Sequence, residues 1–189
     1  MKTKYQKYIK YIFKTFSFSL ISVVLVVFVI GYAYLEHRGV IGETDMYLVE
    51  RVIDGDTIYV TKTGDLDQKN IVKVRLLGIN APEIKHQGND VDECYGNESK
   101  DFLTKLVLGK KVRLESDTQK QDIYNRELRF VYLGDKMINT FMLENGMAYK
   151  LFIPPNRSYE LEFDMALEYA KSNLYGVWTY CYLDDKRAK

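Results

Sequence analysis

Residues 52–60 (VIDGDTIYV) place two carboxylates, Asp54 and Asp56, on either side of a glycine within a strand-like segment. An Asp-Gly pair between apolar alternations is the usual signal of a tight hairpin. The second carboxylate repels the first unless a positive group lies close to both of them. The sequence therefore predicts a cation or a basic side chain beside this turn.

Three further segments carry groups that could act together with this turn. They are VRLLGINAPE, with Arg75 and Glu83; DIYNRELRFVY, with Tyr124 and Arg126; and ENGMAYK, followed near the C-terminus by GVW. Each candidate also has an ordinary structural explanation, since Arg75 could be a solvated strand residue and Asn125 a turn residue at positive φ. Their joint occurrence, in this order and at this spacing, is the informative feature.

In order and spacing these segments resemble the staphylococcal nuclease (thermonuclease) family over about Tyr47 to Tyr180. The resemblance implies an OB barrel with three helices and a calcium-dependent hydrolysis of phosphodiester bonds. It implies calcium ligation by the Asp56 carboxylate, by the Asn80 amide oxygen where the family usually has an aspartate, and by the Ala81 backbone carbonyl. Asp54 would lie behind these ligands. Asn80 in place of a carboxylate predicts weaker calcium binding, because ligand charge tunes affinity.

The resemblance also implies roles around the phosphate. Glu83 would position the attacking water and accept its proton, while Arg75 and Arg126 would stabilise charge on the phosphate oxygens. Tyr124 matches the family's phosphate-contacting tyrosine. Phe152 would replace a tyrosine that the family has near the nucleotide base, and either base stacking or core packing is open for it. The product ends expected for the family are 3′-phosphates.

The elements that must hold these residues are predicted from periodicity. Five segments are strand-like, with alternating faces clearest in the third and the fifth, and helical spacing follows the third and the fifth of them. This order predicts an α+β fold: a small closed five-stranded barrel of the OB type, flanked by three helices. The strands are expected at 46–54, 56–61, 71–79, 110–116 and 126–133, and the helices at about 97–108, at 137–144 and from Ser158, taken as an N-cap.

The N-terminus of the 189-residue chain has a different character. Five lysines precede a charge-free run at 15–35, long enough to cross a bilayer as a transmembrane helix, with the lysines on the cytoplasmic side. A cleaved secretory signal, cut near Gly31-Tyr32-Ala33, is the alternative. The predicted organisation is a basic cytoplasmic N-terminus (1–14), an anchor or signal segment (15–35), a linker (36–45), a nuclease-like domain (46–183) and a polar tail (184–189).

Charge and cysteine content bear on partners and compartment. Residues 1–44 hold six of the 27 basic and two of the 26 acidic residues, which leaves the rest at a net charge of about −3. Nucleic-acid binding must therefore rest on a local site. The domain is expected outside the cell, membrane-tethered or secreted, as a monomer acting on DNA and RNA, preferably single-stranded. Cys94 and Cys181 could form a disulfide in that compartment, or remain two small core residues.

Three functions are compatible with these features. The first is a calcium-dependent, sugar-nonspecific endonuclease that uses water as the nucleophile. The second is a membrane-tethered OB-fold module that binds nucleic acid without cutting it. The third is an anchored adhesion protein in which the aspartates hold a structural calcium ion. Only the first accounts for Arg75, Glu83 and Arg126 together.

Overall fold

The computed structural model describes residues 22–32, 45–64, 70–84 and 92–181. The chain divides into two compact units, 1–44 and 45–189. In the first unit a helix, α1, spans 22–32. Among the described residues, no helix combines the length and the apolarity needed to cross a bilayer. The predicted segments 1–14 and 184–189, most of the linker 36–45 and both ends of 15–35 lie outside the described residues.

A closed five-stranded barrel forms the centre of the second unit. The strands of this unit are β1 Met46–Val52, β2 Thr57–Lys62, β3 Ile71–Leu76, β4 Gly78–Asn80, β5 Lys111–Glu115, β6 Glu127–Leu133, β7 Lys136–Met137 and β8 Tyr149–Leu151. The barrel strands follow the order β3-β2-β1-β5-β6 with antiparallel neighbours, and a parallel pairing of β3 with β6 closes the barrel. The predicted barrel is thus confirmed, and the short strands β4, β7 and β8 add to it.

Alternation decides which side chains fill the barrel. Ile58, Val60, Val74 and Phe130 are fully buried, as expected when every second residue of a strand faces the interior. Burying one such side chain contributes about 1.5–3 kcal/mol. The other face of β3 carries Lys73 and Arg75, whose side chains can contact polar groups outside the barrel.

Three helices cover the barrel: α2 Gly96–Val107, α3 Ile138–Glu144 and α4 Glu160–Ser172. The expectation that Ser158 caps the last helix is wrong. Tyr159 holds the N-cap position at φ 64°, and the Ser158 amide and hydroxyl instead donate to the Asp117 carboxylate at 3.0 and 3.1 Å. The two hydrogen bonds to Asp117 are an alternative to capping, and they hold Ser158 away from the first backbone amides of α4.

The predicted third strand, 71–79, is broken at Leu77, and this break shapes the site. Gly78 has φ +77° and lies so close to the Phe163 ring that a Cβ there would be 2.4 Å from it. The buried Asn139 fixes the break, because its Nδ2 donates to the Leu77 carbonyl at 2.9 Å while its Oδ1 accepts from the Val131 amide at 2.8 Å. The chain then enters β4, which pairs with β8.

A disulfide joins Cys94, just before α2, to Cys181; the Cα atoms are 5.7 Å apart and the sequence separation is 87. The rings of the neighbouring Tyr95 and Tyr180 stack at 5.4 Å. The bond closes a long loop, the case in which a cross-link restricts the unfolded chain most. It therefore ties the segment that leads into α2 to the end of the described chain.

Candidate active site

The turn between β1 and β2 buries the second of its two aspartates. Asp56 is 3% exposed, and its backbone amide donates to Asp54 Oδ1 at 3.0 Å. Asp56 Oδ1 accepts the Thr57 hydroxyl at 3.0 Å, and Oδ2 accepts the Ala81 amide at 2.8 Å. Gly55 allows this close packing, since a Cβ there would lie 2.6 Å from the Ala81 side chain. The turn and the end of β4 are thus held together by a carboxylate.

Arg75 is the positive group that the aspartate pair requires. Its Nη2 lies 2.9 Å from Asp56 Oδ2 and donates to Asn80 Oδ1 at 3.1 Å. Its Nη1 donates to the carbonyls of Leu76 and Ile79 at 2.7 and 2.8 Å. The break at Leu77 turns those carbonyls toward the guanidinium. Four acceptors therefore fix Arg75 in one orientation, as a planar fork allows.

The ionisation of Asp56 is strongly perturbed by its position. Burial raises its pKa to about 7; the Arg75 guanidinium opposes this rise and the nearby Asp54 adds to it. A cation bound beside the carboxylate would favour the ionised form. The oxygens available there are hard donors that suit calcium: the carboxylates of Asp54 and Asp56, the Thr57 hydroxyl, the Asn80 amide and the Ala81 carbonyl.

This donor set fits calcium, although it is poor in charge. Within the described ranges, no three His, Cys, Asp or Glu side chains are arranged to hold a metal ion. An ion here would therefore depend on amide, carbonyl and hydroxyl oxygens and on water as well as on Asp56. Calcium affinity decreases as carboxylate ligands are replaced by neutral oxygens, and this is the reason for the weak site predicted from Asn80.

Glu83 is an exposed residue in the segment that follows β4, and its backbone is hydrogen-bonded to Glu93. Its amide donates to Glu93 Oε2 at 3.0 Å, and its carbonyl accepts the Glu93 amide at 3.0 Å. Glu93 adjoins Cys94 of the disulfide. Two hydrogen bonds therefore fix the backbone of Glu83, while its side chain remains exposed to solvent. Sequence reasoning missed Glu93, which has no local pattern to distinguish it from a surface acid.

Arg126 and Tyr124 are positioned by one aspartate. Asp122 accepts the amides of Tyr124 and Arg126, each at 2.9 Å, and the Arg126 Nε at 2.7 Å. Burial pushes the pKa of Asp122 upward, but these hydrogen bonds outweigh burial and hold the pKa below its usual value. Asn125 makes the turn at φ 58°, as expected. Asp122 was missed, although an aspartate at the start of a tight turn is a recognisable signal.

The predicted catalytic groups meet at a single cavity of about 470 Å³. Arg75, Glu83, Tyr124 and Arg126 all line it, together with Asn80. Asp56 and Ala81 lie directly behind Arg75 and Asn80, through the contacts given above. Three separate parts of the chain therefore converge: β3 with β4 and the segment after it, the 122–126 turn, and the segment after β8.

Of the two roles open for Phe152, the structure favours core packing. Its ring packs edge-on against Phe163, with centroids 5.0 Å apart, and is absent from the cavity wall. Its neighbours Leu151 and Ile153 line the cavity instead, because side chains alternate in direction along an extended segment. Core packing is therefore the role that the structure gives Phe152.

Two arginines, a glutamate and a tyrosine on the wall of one cavity beside a closed barrel are the arrangement expected of a nuclease, and sequence comparison shows which family has it. A family model described as "Staphylococcal nuclease homologue" matches residues 73–180. The thermonuclease of Staphylococcus intermedius is 37% identical over 134 residues, covering 71% of this chain and 76% of that protein. The thermonuclease of Staphylococcus hyicus is 38% identical over 133 residues, covering 70% and 75%. Endonuclease YncB of Bacillus subtilis (strain 168) is 32% identical over 133 residues, covering 69% and 60%.

The chain therefore belongs to the staphylococcal nuclease family. It is a nuclease, and hence a hydrolase whose substrate is nucleic acid.

Proposed function

We propose that this nuclease is calcium-dependent and sugar-nonspecific, that it hydrolyses DNA and RNA with water as the nucleophile, and that it leaves 3′-phosphate ends. The observation that carries the proposal is the convergence of Arg75, Glu83 and Arg126 on one cavity. A module that only binds nucleic acid has no need of a carboxylate facing two guanidinium groups. The sugar tolerance and the product ends extend the family resemblance to this chain.

In this mechanism Glu83 orients a water molecule and accepts its proton as the water oxygen bonds to phosphorus. The bond from phosphorus to the 5′ oxygen breaks, and that oxygen takes a proton from the surrounding water. Arg75 and Arg126 contact the phosphate oxygens, where charge builds in the transition state. Asp56, Asn80 and the Ala81 carbonyl would hold the calcium ion, which supplies positive charge at the same phosphate.

Calcium dependence is tested directly by metal removal. The purified chain, mixed with denatured DNA, is expected to degrade it in calcium, to stop when a chelator is added, and to resume when calcium is returned. Product ends are checked by their resistance to extension by a polymerase until a 3′-phosphatase is added. Cleavage that persists unchanged in chelator would contradict the calcium proposal, and tight binding without cleavage would favour the non-catalytic module.

Substitutions at Asn80 are expected to lower or to raise the calcium concentration needed for activity, depending on the residue introduced. Asn80→Asp restores a carboxylate, so the half-saturating calcium concentration is expected to fall by about tenfold or more. Asn80→Ala removes the oxygen and should raise it. The series Ala, Asn, Asp is followed by activity against calcium concentration, with thermal unfolding in calcium-free buffer as the control for folding. Equal calcium curves for all three would exclude Asn80 as a ligand.

We place this activity outside the cell, with the domain either tethered or released. The support is the disulfide between Cys94 and Cys181, a bond that persists in oxidising compartments, together with the lysine-flanked apolar run at 15–35.

A further inference from the structure

A row of two cations and one aromatic ring crosses the outer face of the barrel. Arg51 on β1, Tyr59 on β2 and Lys73 on β3 are direct cross-strand neighbours. The Arg51 guanidinium carbon lies 4.6 Å from the Tyr59 ring centroid, and the Lys73 Nζ lies 5.9 Å from it. These distances are within cation–π range. We call Arg51, Tyr59 and Lys73 the basic row.

The cations of the basic row have no carboxylate partner among the described residues. Glu50 is adjacent in sequence but lies at the irregularity in the β1–β2 register, and it forms no ion pair with Arg51. Elsewhere on the domain, Arg113, Arg129 and Lys150 each pair with an acidic side chain. Arg51 and Lys73 instead share the face of one aromatic ring, which keeps two positive charges side by side on this part of the barrel.

The basic row adjoins the candidate active site. Lys73 precedes Arg75 by two residues on β3, so both leave the strand on the same face. In the β2–β3 register the rung Thr57–Arg75 is followed on that face by the rung Tyr59–Lys73. Two residues along a strand span about 6.6 Å. A polynucleotide with one phosphate at Arg75 can therefore continue directly over the basic row.

We propose that the basic row extends the substrate-binding path of this nuclease and binds the phosphate backbone of the strand beyond the cleaved bond. Arg51 and Lys73 contact phosphates. Tyr59 is a positioning residue that holds the two cations apart and in place, which reduces the side-chain entropy lost on binding. The inference rests on the proposed function for the site at Arg75, and it adds a preference for substrates longer than two nucleotides.

The test is the double variant Arg51→Gln/Lys73→Gln of the full chain, assayed on a single-stranded 20-mer and on a dinucleotide. KM for the 20-mer is expected to rise about tenfold with kcat unchanged, and the slope of log KM against log salt concentration to fall by about 1.4, which is about 0.7 per lost phosphate contact on single strands. Dinucleotide kinetics should stay unchanged. Tyr59→Phe should behave as wild type, and Tyr59→Ser should raise KM.

The matched control is Lys136→Gln, which removes another cation–π contact, 3.8 Å from the Phe141 ring, away from the basic row. It should leave the salt slope unchanged. Wild-type KM and salt slope in the double variant, or equal losses on dinucleotide and 20-mer, would overturn the proposal. Anisotropy of a labelled 20-mer at several salt concentrations measures the same slope without cleavage. Failure of the catalytic proposal is therefore distinguishable from failure of the basic row.

Discussion

Arg75→Met is expected to reduce kcat by about 10³-fold and to destabilise the fold by about 3–5 kcal/mol at pH 8. The rate falls because a fixed guanidinium no longer meets the charge that builds on the phosphate. The stability falls because Asp56 keeps its buried position but loses the partner at 2.9 Å. Single-turnover cleavage of denatured DNA and urea unfolding in calcium-free buffer measure the two effects separately.

The stability loss should depend on pH in a defined direction. Asp56 has a pKa raised from 3.8 to about 7, so between these values the folded chain holds a proton that the unfolded chain has released. Its contribution to stability therefore decreases as pH rises through that window. Without Arg75 the pKa rises further, and the window extends upward. The penalty of Arg75→Met should consequently be smaller at pH 5, where protonated Asp56 needs no counter-ion, than at pH 8.

Arg75→Lys separates charge from geometry. A lysine keeps a positive charge near Asp56 but cannot reach the four acceptors of the guanidinium fork. We expect most of the stability to return and most of the activity to remain lost. Full activity in either variant would remove Arg75 from the mechanism, and equal penalties at pH 5 and pH 8 would show that the ion pair with Asp56 is not what the substitution breaks.

Glu83→Gln is expected to reduce kcat by about 10³-fold, with little change in KM or in the free energy of unfolding. Glutamine keeps the size of the side chain and its contacts, but it cannot accept the proton of the attacking water. The side chain is exposed, so the fold does not depend on its charge. The rate is measured with saturating DNA and calcium, and unfolding is followed in parallel.

Two readouts distinguish this role from a structural one. Glu83→Asp should recover part of the rate, because it keeps a carboxylate, and the free energy of unfolding of Glu83→Gln should equal that of the wild type. Glu168→Gln, which removes an exposed carboxylate on α4 away from the cavity, is the control and should match wild type. A Glu83→Gln enzyme with wild-type kcat would show that another group activates the water.

Local sequence was sufficient for the barrel strands. Residues 46–52, 57–62 and 127–133 are short segments rich in β-branched, aromatic and other apolar side chains and bounded by turn residues, and this is a short-range property that each strand carries by itself. The helix at Gly96–Val107 likewise agrees with the expected 97–108 to within a residue. The candidate site residues Arg75, Glu83 and Arg126 could also be named from the sequence, because the family resemblance depends only on residue types and their spacing.

The tertiary structure decided which groups meet. Phe152 packs into the core because its ring contacts Phe163 of α4. Ser158 does not cap α4 because it hydrogen-bonds to Asp117, which is 41 residues away in sequence. Both outcomes depend on partners distant in sequence, which no window of local pattern contains.

What the sequence determined by itself is the set of strands and the chemical groups placed at their ends. Only the closed barrel, through the pairing of β3 with β6 and the break at Leu77, brought the guanidinium of Arg75 against Asp56 and Asn80 and placed Arg126 and Glu83 on the wall of one cavity. The physical reason is that alternation and turn chemistry act over a few residues, whereas the site is made of contacts that exist only once the sheet has closed.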